Sequence, residues 1–84
     1  MIPIQELLNR IRWDHEFAKG EFVIGYYDRV EGRTIEVPLR EVNFPPDNHF
    51  AFQVVDSEDE VHTVPFHRIK EIYKDGKRIW HREQ

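Results

Sequence analysis

The string Pro65-Phe66-His67-Arg68-Ile69 sets an imidazole beside a guanidinium just past the end of an expected strand. Loops at such places present polar groups on a rigid scaffold. Histidine titrates near neutral pH and gives or takes a proton. Arginine's planar fork matches two oxygens of a phosphate at once. Together they suit an anionic phosphorus ester better than any other ligand class. The same string also fits a plain structural use, with His67 capping a turn and Arg68 paired to a carboxylate. Asp28-Arg29, closing the run Phe22 to Tyr27, is the second candidate. Asp28 would orient His67 or hold an arginine; its alternative is a surface pair beside a turn. Tyr26 and Tyr27 offer faces on which a base stacks, an interaction worth about 1–3 kcal/mol, with one of the two expected in the core. Arg82, in the last hairpin, completes the set.

Other chemical signatures are missing. There is no glycine-rich phosphate loop, no Gly-x-Ser-x-Gly and no His-Glu-x-x-His string. The five histidines lack metal-ligand spacing, so neither a metal nor any other cofactor is expected. His62-Thr63 superficially matches the His-x-Thr/Ser motif of two-histidine phosphoesterases, but the spacing is wrong and no second copy exists.

The elements that must position these groups read as follows. Ile4, Leu7, Leu8 and Ile11 follow the spacing of one helical face, with Pro3 at the start and Trp13-Asp14 at the end. Asp14 can cap a further turn through His15, Glu16 and Phe17, stopped by Gly20. From residue 21 the period switches to two. Strands are expected at Phe22 to Tyr27, running into Asp28, Arg29 and Val30, and at Thr34 to Val37, Phe50 to Val54 and Val61 to Val64. A hairpin follows over Ile69–Lys74 and Lys77–Arg82, turning at Asp75-Gly76, a pair suited to positive φ. A two-residue loop there sets Ile72 opposite Ile79 and Glu71 opposite Trp80, with Trp80 in the core and its indole N–H at the rim. Val37-Pro38-Leu39-x-x-Val42 returns 27 residues later as Val64-Pro65-Phe66-x-x-Ile69. Proline cannot donate to a central ladder, so both copies read as strand exits. The expected fold class is α+β: an N-terminal amphipathic helix packed on a strongly curved, mainly antiparallel five-stranded sheet, bent toward a barrel.

Eighty-four residues amount to a single small domain, 1–84, and 39% hydrophobic content with eleven aromatic side chains supports one thin core. The chain has no cysteine, which excludes a disulfide scaffold, a thiol enzyme and a cysteine zinc site and points to the cytoplasm. No apolar run approaches the ~18 residues of a membrane span, and no signal-peptide layout opens the chain. The net charge of −4 is uneven. Residues 1 to 61 carry six basic and thirteen acidic side chains, a balance of −7, whereas residues 62 to 84 carry six basic and three acidic, a balance of +3. The acidic whole disfavours non-specific duplex binding, but the basic edge suits a short anionic ligand such as an RNA terminus.

Four motifs occur in order: Leu-Leu-Asn-Arg-Ile-Arg-Trp-Asp at 7 to 14, Gly-Tyr-Tyr-Asp-Arg-Val at 25 to 30, Val-Pro-Phe-His-Arg-Ile at 64 to 69, and Asp-Gly-x-x-Ile-Trp-x-Arg at 75 to 82. In this the chain resembles, over essentially its whole length, a small and mainly archaeal family of uncharacterised proteins described as an RNA cyclic-group end-recognition domain. The resemblance implies binding or processing of RNA ends that bear a 2′,3′-cyclic phosphate. It carries over Asp28, Arg29, His67, Arg68 and Arg82 as the polar signature, Trp13 and Asp14 as the helix-end motif, and Trp80 as part of the final hairpin. His15 departs from the proline expected after Trp-Asp, which leaves that local turn open.

The function expected is therefore an RNA-binding module for RNA 3′ ends, with Arg68, Arg29 and Arg82 on the phosphate, His67 donating to it and Tyr26 or Tyr27 stacking on the last base. A separate RNA-processing enzyme would be its partner, and no membrane is involved. The alternatives are a protein-interaction module and, ranked below it, a metal-independent phosphodiesterase using His67, with His81 as a second histidine.

Overall fold

The computed structural model describes residues 2–82; Met1, Glu83 and Gln84 lie outside them. Helix α1 spans Ile4–Trp13 and buries Leu7, Leu8 and Ile11 along one stripe. Pro3 precedes its first turn, and Asp14 leaves the helix in an extended conformation. Asp14 Oδ1 then accepts the amides of Glu16 and Phe17, both at 3.1 Å. The Phe17 amide is the main influence holding the Asp14 carboxyl below its ordinary range. His15 is thus accommodated in a turn that needs no proline.

Six strands follow: β1 Phe22–Asp28, β2 Arg33–Pro38, β3 Ala51–Val55, β4 Val61–Pro65, β5 Ile69–Lys74 and β6 Lys77–His81. All pairs are antiparallel, in a four-stranded sheet of order β2-β1-β5-β6 and a separate β3-β4 pair. This overturns the expected α+β architecture with one curved five-stranded sheet. Among the described residues the protein is mostly β with one short helix, in two sheets, and no barrel closes. The two strand exits explain the division. Pro38 and Pro65 sit in near-identical extended conformations, and each leads into a single 3-10 turn, Leu39–Glu41 and Phe66–Arg68. Proline ends the ladder and the turn swings the chain away, so β4 does not run on beside β5. The small sheet instead lies on the large one through side chains. Phe52, Val54 and Val64 join Ile24, Tyr26, Phe66, Ile69, Ile72 and Trp80 in the core, and Tyr26 meets Phe52 edge to face at 5.7 Å.

The last hairpin turns at Asp75 (φ 51°) and Gly76 (φ 82°), as expected. Its register does not follow the expected pairing. A bulge between Ile72 and Tyr73 sets Ile72 opposite Trp80 and Tyr73 opposite Arg78. The shift buries the indole, the larger apolar group, and leaves Ile79 exposed. Trp80 Nε1 donates to Ile2 O at 2.8 Å, tying the start of the described chain to its last strand.

Candidate functional site

A hollow of about 420 Å³ lies between the β1–β2 hairpin and the β3–β4 hairpin. The β1 end supplies Tyr26, Tyr27, Asp28 and Arg29; β4 supplies His62; the second 3-10 turn supplies Arg68. Asp28 shapes the rim. Its Oδ1 accepts the amides of Val30 at 2.8 Å and Glu31 at 3.1 Å, and its carbonyl accepts Gly32 N–H at 2.8 Å. The carboxylate therefore builds the turn that presents Arg29. It does not touch His67.

Arg29 is exposed and Arg68 half-buried. Among the described residues no hydrogen bond or ion pair engages either guanidinium. Among the described residues, Arg68 lacks the carboxylate partner that a structural role would give it. Tyr26 is buried against Phe52, and burial, helped by the Asp28 charge, raises its phenol above the ordinary range. Tyr27 is 39% exposed and stands at the rim.

His67 is exposed in the middle of its turn and does not line the hollow. Arg82 is committed to structure. Its Nε donates to Ile69 O at 3.0 Å and its Nη2 to Phe66 O at 3.2 Å, while the guanidinium lies over Trp80. It thereby braces both ends of the turn from which Arg68 projects. Arg82 and His81 line a second hollow, so His67 and His81 share no site. The structure thus gathers Tyr26, Tyr27, Asp28, Arg29 and Arg68, and leaves His67 and Arg82 outside.

The histidine that does enter the hollow is His62. Its Nε2 lies 2.6 Å from Asp56 Oδ2. That hydrogen bond is the chief cause raising the imidazole above its ordinary pKa and lowering Asp56 below its own. Desolvation opposes the His62 shift, and the charges of Asp56, Glu60 and Asp28 reinforce it. Sequence reasoning passed over this pair because it depends on register. With Val54 opposite His62 and Val55 opposite Val61, the intervening acidic loop folds Asp56 back onto the imidazole. Counting the loop from Asp56 to Glu60 as a hairpin would have found it. Asp56, Glu60 and His62 bring one ligating atom each within 4.8 Å of one another. Asp56 Oδ1 already accepts the amides of Glu58 and Glu60, and Oδ2 meets His62, so hydrogen bonding accounts for the cluster.

Two guanidiniums with no partner among the described residues and an imidazole whose protonated form Asp56 favours, beside an exposed aromatic ring, can hold an anion whose organic part stacks. Among the described residues no helix is long and apolar enough to cross a membrane. No solved structure matches the chain. The chain is 32% identical over 80 residues to a UPF0248 protein of Methanococcus maripaludis, an alignment spanning 92% of this chain and 95% of that one. Residues 1–82 match the family described as the MJ1316 RNA cyclic group end recognition domain, and the chain belongs to that family.

Proposed function

We propose that the hollow binds the 3′ end of an RNA, with Arg68 and Arg29 on a terminal 2′,3′-cyclic phosphate and Tyr27 against the last base. The observation that carries this reading is the half-buried Arg68, which opens with Arg29 into a hollow and has no carboxylate partner among the described residues. His62 lines the same hollow, and its bond to Asp56 favours the protonated form, which would supply a further donor. The family description names RNA cyclic group ends, which supports the ligand class.

Charge favours the cyclic form. Asp28, Glu31, Glu36 and Asp56 also line the hollow and offset its cations. A 3′-phosphomonoester carries about −1.5 to −2 charges at pH 7, whereas the cyclic diester carries a single one. A site with no positive surplus meets the monoanion at lower electrostatic cost. Short RNAs of one sequence, ending in hydroxyl, phosphate or cyclic phosphate, test the reading by titration. The cyclic end should bind most tightly, and Arg68→Ala should weaken it about tenfold to a hundredfold, the range of a lost charge-assisted hydrogen bond. Arg68→Lys should recover only part, since a point charge lacks the fork. Equal affinity for all three ends contradicts the proposal.

A further inference from the structure

Across Tyr27 from the end-binding hollow lies a second one, of about 460 Å³, on the face formed by β1, β2, β5 and β6. Lys70, Arg78 and Arg82 line it with His81, and among the described residues Glu71 is its one carboxylate. Glu71 is already engaged, accepting the Tyr73 hydroxyl at 2.8 Å and facing Arg78 at 3.7 Å. The hollow therefore keeps a cationic surplus on a protein whose net charge is −4. This basic edge is unused by the end-binding site. Tyr27 lines both hollows.

We infer that the second hollow seats the RNA backbone immediately upstream of the terminal nucleotide, so that the strand crosses Tyr27 from one hollow to the other. The inference rests on the end-binding reading and extends it: the ligand is an oligonucleotide terminus, not a free cyclic mononucleotide. An aromatic ring shared by one hollow that holds two guanidiniums and another with a cationic surplus matches the arrangement that single strands use, with bases stacked on aromatics and phosphates on flanking cations. Lys70 and Arg78 are the backbone contacts. Arg82 contributes charge while its hydrogen bonds hold the turn between β4 and β5.

The test compares uridine 2′,3′-cyclic phosphate with a tetranucleotide ending in the same group, each titrated against the full chain over a range of salt concentrations. The tetranucleotide should bind about tenfold tighter or better, with a steeper salt dependence. The Lys70→Gln/Arg78→Gln variant keeps much of both side-chain stems and should bring the tetranucleotide down to the mononucleotide's affinity. Its log–log salt slope should fall by about 1.4, or about 0.7 for each phosphate contact removed from a single strand. The wild-type comparison alone decides the matter if that variant folds poorly: equal affinity and equal salt slope for the two ligands overturn the inference. So does a length gain that survives the double substitution. If the length gain depends on Lys70 and Arg78 but hydroxyl and cyclic ends bind alike, the end-binding reading fails and the backbone subsite stands.

Discussion

The chemistry of this protein turns on which polar side chains are already satisfied and which are not. Asp28, Arg82 and Asp56 spend their capacity on backbone amides and carbonyls, so they build turns. Arg29 and Arg68 make no such bond among the described residues, and that difference is what separates the positioning groups from the proposed ligand groups. Position decides the rest: His67, adjacent to Arg68, is exposed and lies outside the hollow. The His62–Asp56 pair adds a pH dependence. The raised His62 pKa contributes stability that is fully present below the ordinary 6.5 and is lost as pH climbs through the folded value. The lowered Asp56 pKa contributes stability present above 3.8 and lost as pH falls through its own folded value. Both groups are solvent-accessible, so the effect on folding is small. The imidazole itself is the better reporter. Its NMR titration midpoint should lie above 6.5 and move back toward that value in Asp56→Asn, and cyclic-end affinity should decline through the wild-type midpoint. A midpoint that Asp56→Asn leaves unchanged would contradict the pairing.

At the scale of elements, the two Pro-initiated 3-10 turns matter most, because the second carries Arg68 and Arg82 braces its ends. Arg82→Ala removes two charge-assisted hydrogen bonds and the contact with Trp80. It should cost about 1–3 kcal/mol and lower the thermal midpoint by several degrees. Cyclic-end binding should weaken with it, because the Arg68 turn loosens. Arg68→Ala should leave the midpoint nearly unmoved. Equal destabilisation by the two variants, followed by calorimetry, would contradict this division of labour. These turns were legible in the sequence as the repeat Val37-Pro38-Leu39 and Val64-Pro65-Phe66, since proline's missing N–H is a local fact. The register of the last hairpin was not. A bulge that exchanges Ile79 for Trp80 opposite Ile72 is selected by burial across the core, and no alternation within Lys77–His81 reveals it.

For the molecule as a whole, local periodicity finds strands but does not say which sheet each one joins. The strand runs around Phe22, Phe52 and Val64 were all readable. That β3 and β4 would pair apart from the other four was not, because it depends on where two 3-10 turns redirect the chain in space. The same limit hid His62 and suggested His67. What joins the two sheets is apolar contact centred on Phe52, which is fully buried and meets Tyr26, Phe44 and Phe66. Phe52→Ala should cost about 3–5 kcal/mol, a large part of the ~5–15 kcal/mol that holds a domain folded. Thermal unfolding should come about 15 °C or more earlier. It should remain one transition, because both sheets share that core; melting of the β3–β4 pair ahead of the rest would contradict a common core.

The most direct measurement follows the guanidinium Nε–H resonances and the tyrosine rings by NMR as uridine 2′,3′-cyclic phosphate is added to the labelled protein. Arg68 and Arg29 should shift together with Tyr27 and saturate at one ligand per chain, while the His67 imidazole stays where it was. Saturable shifts at His67 with Arg68 unmoved would place the phosphoryl group elsewhere and contradict the account.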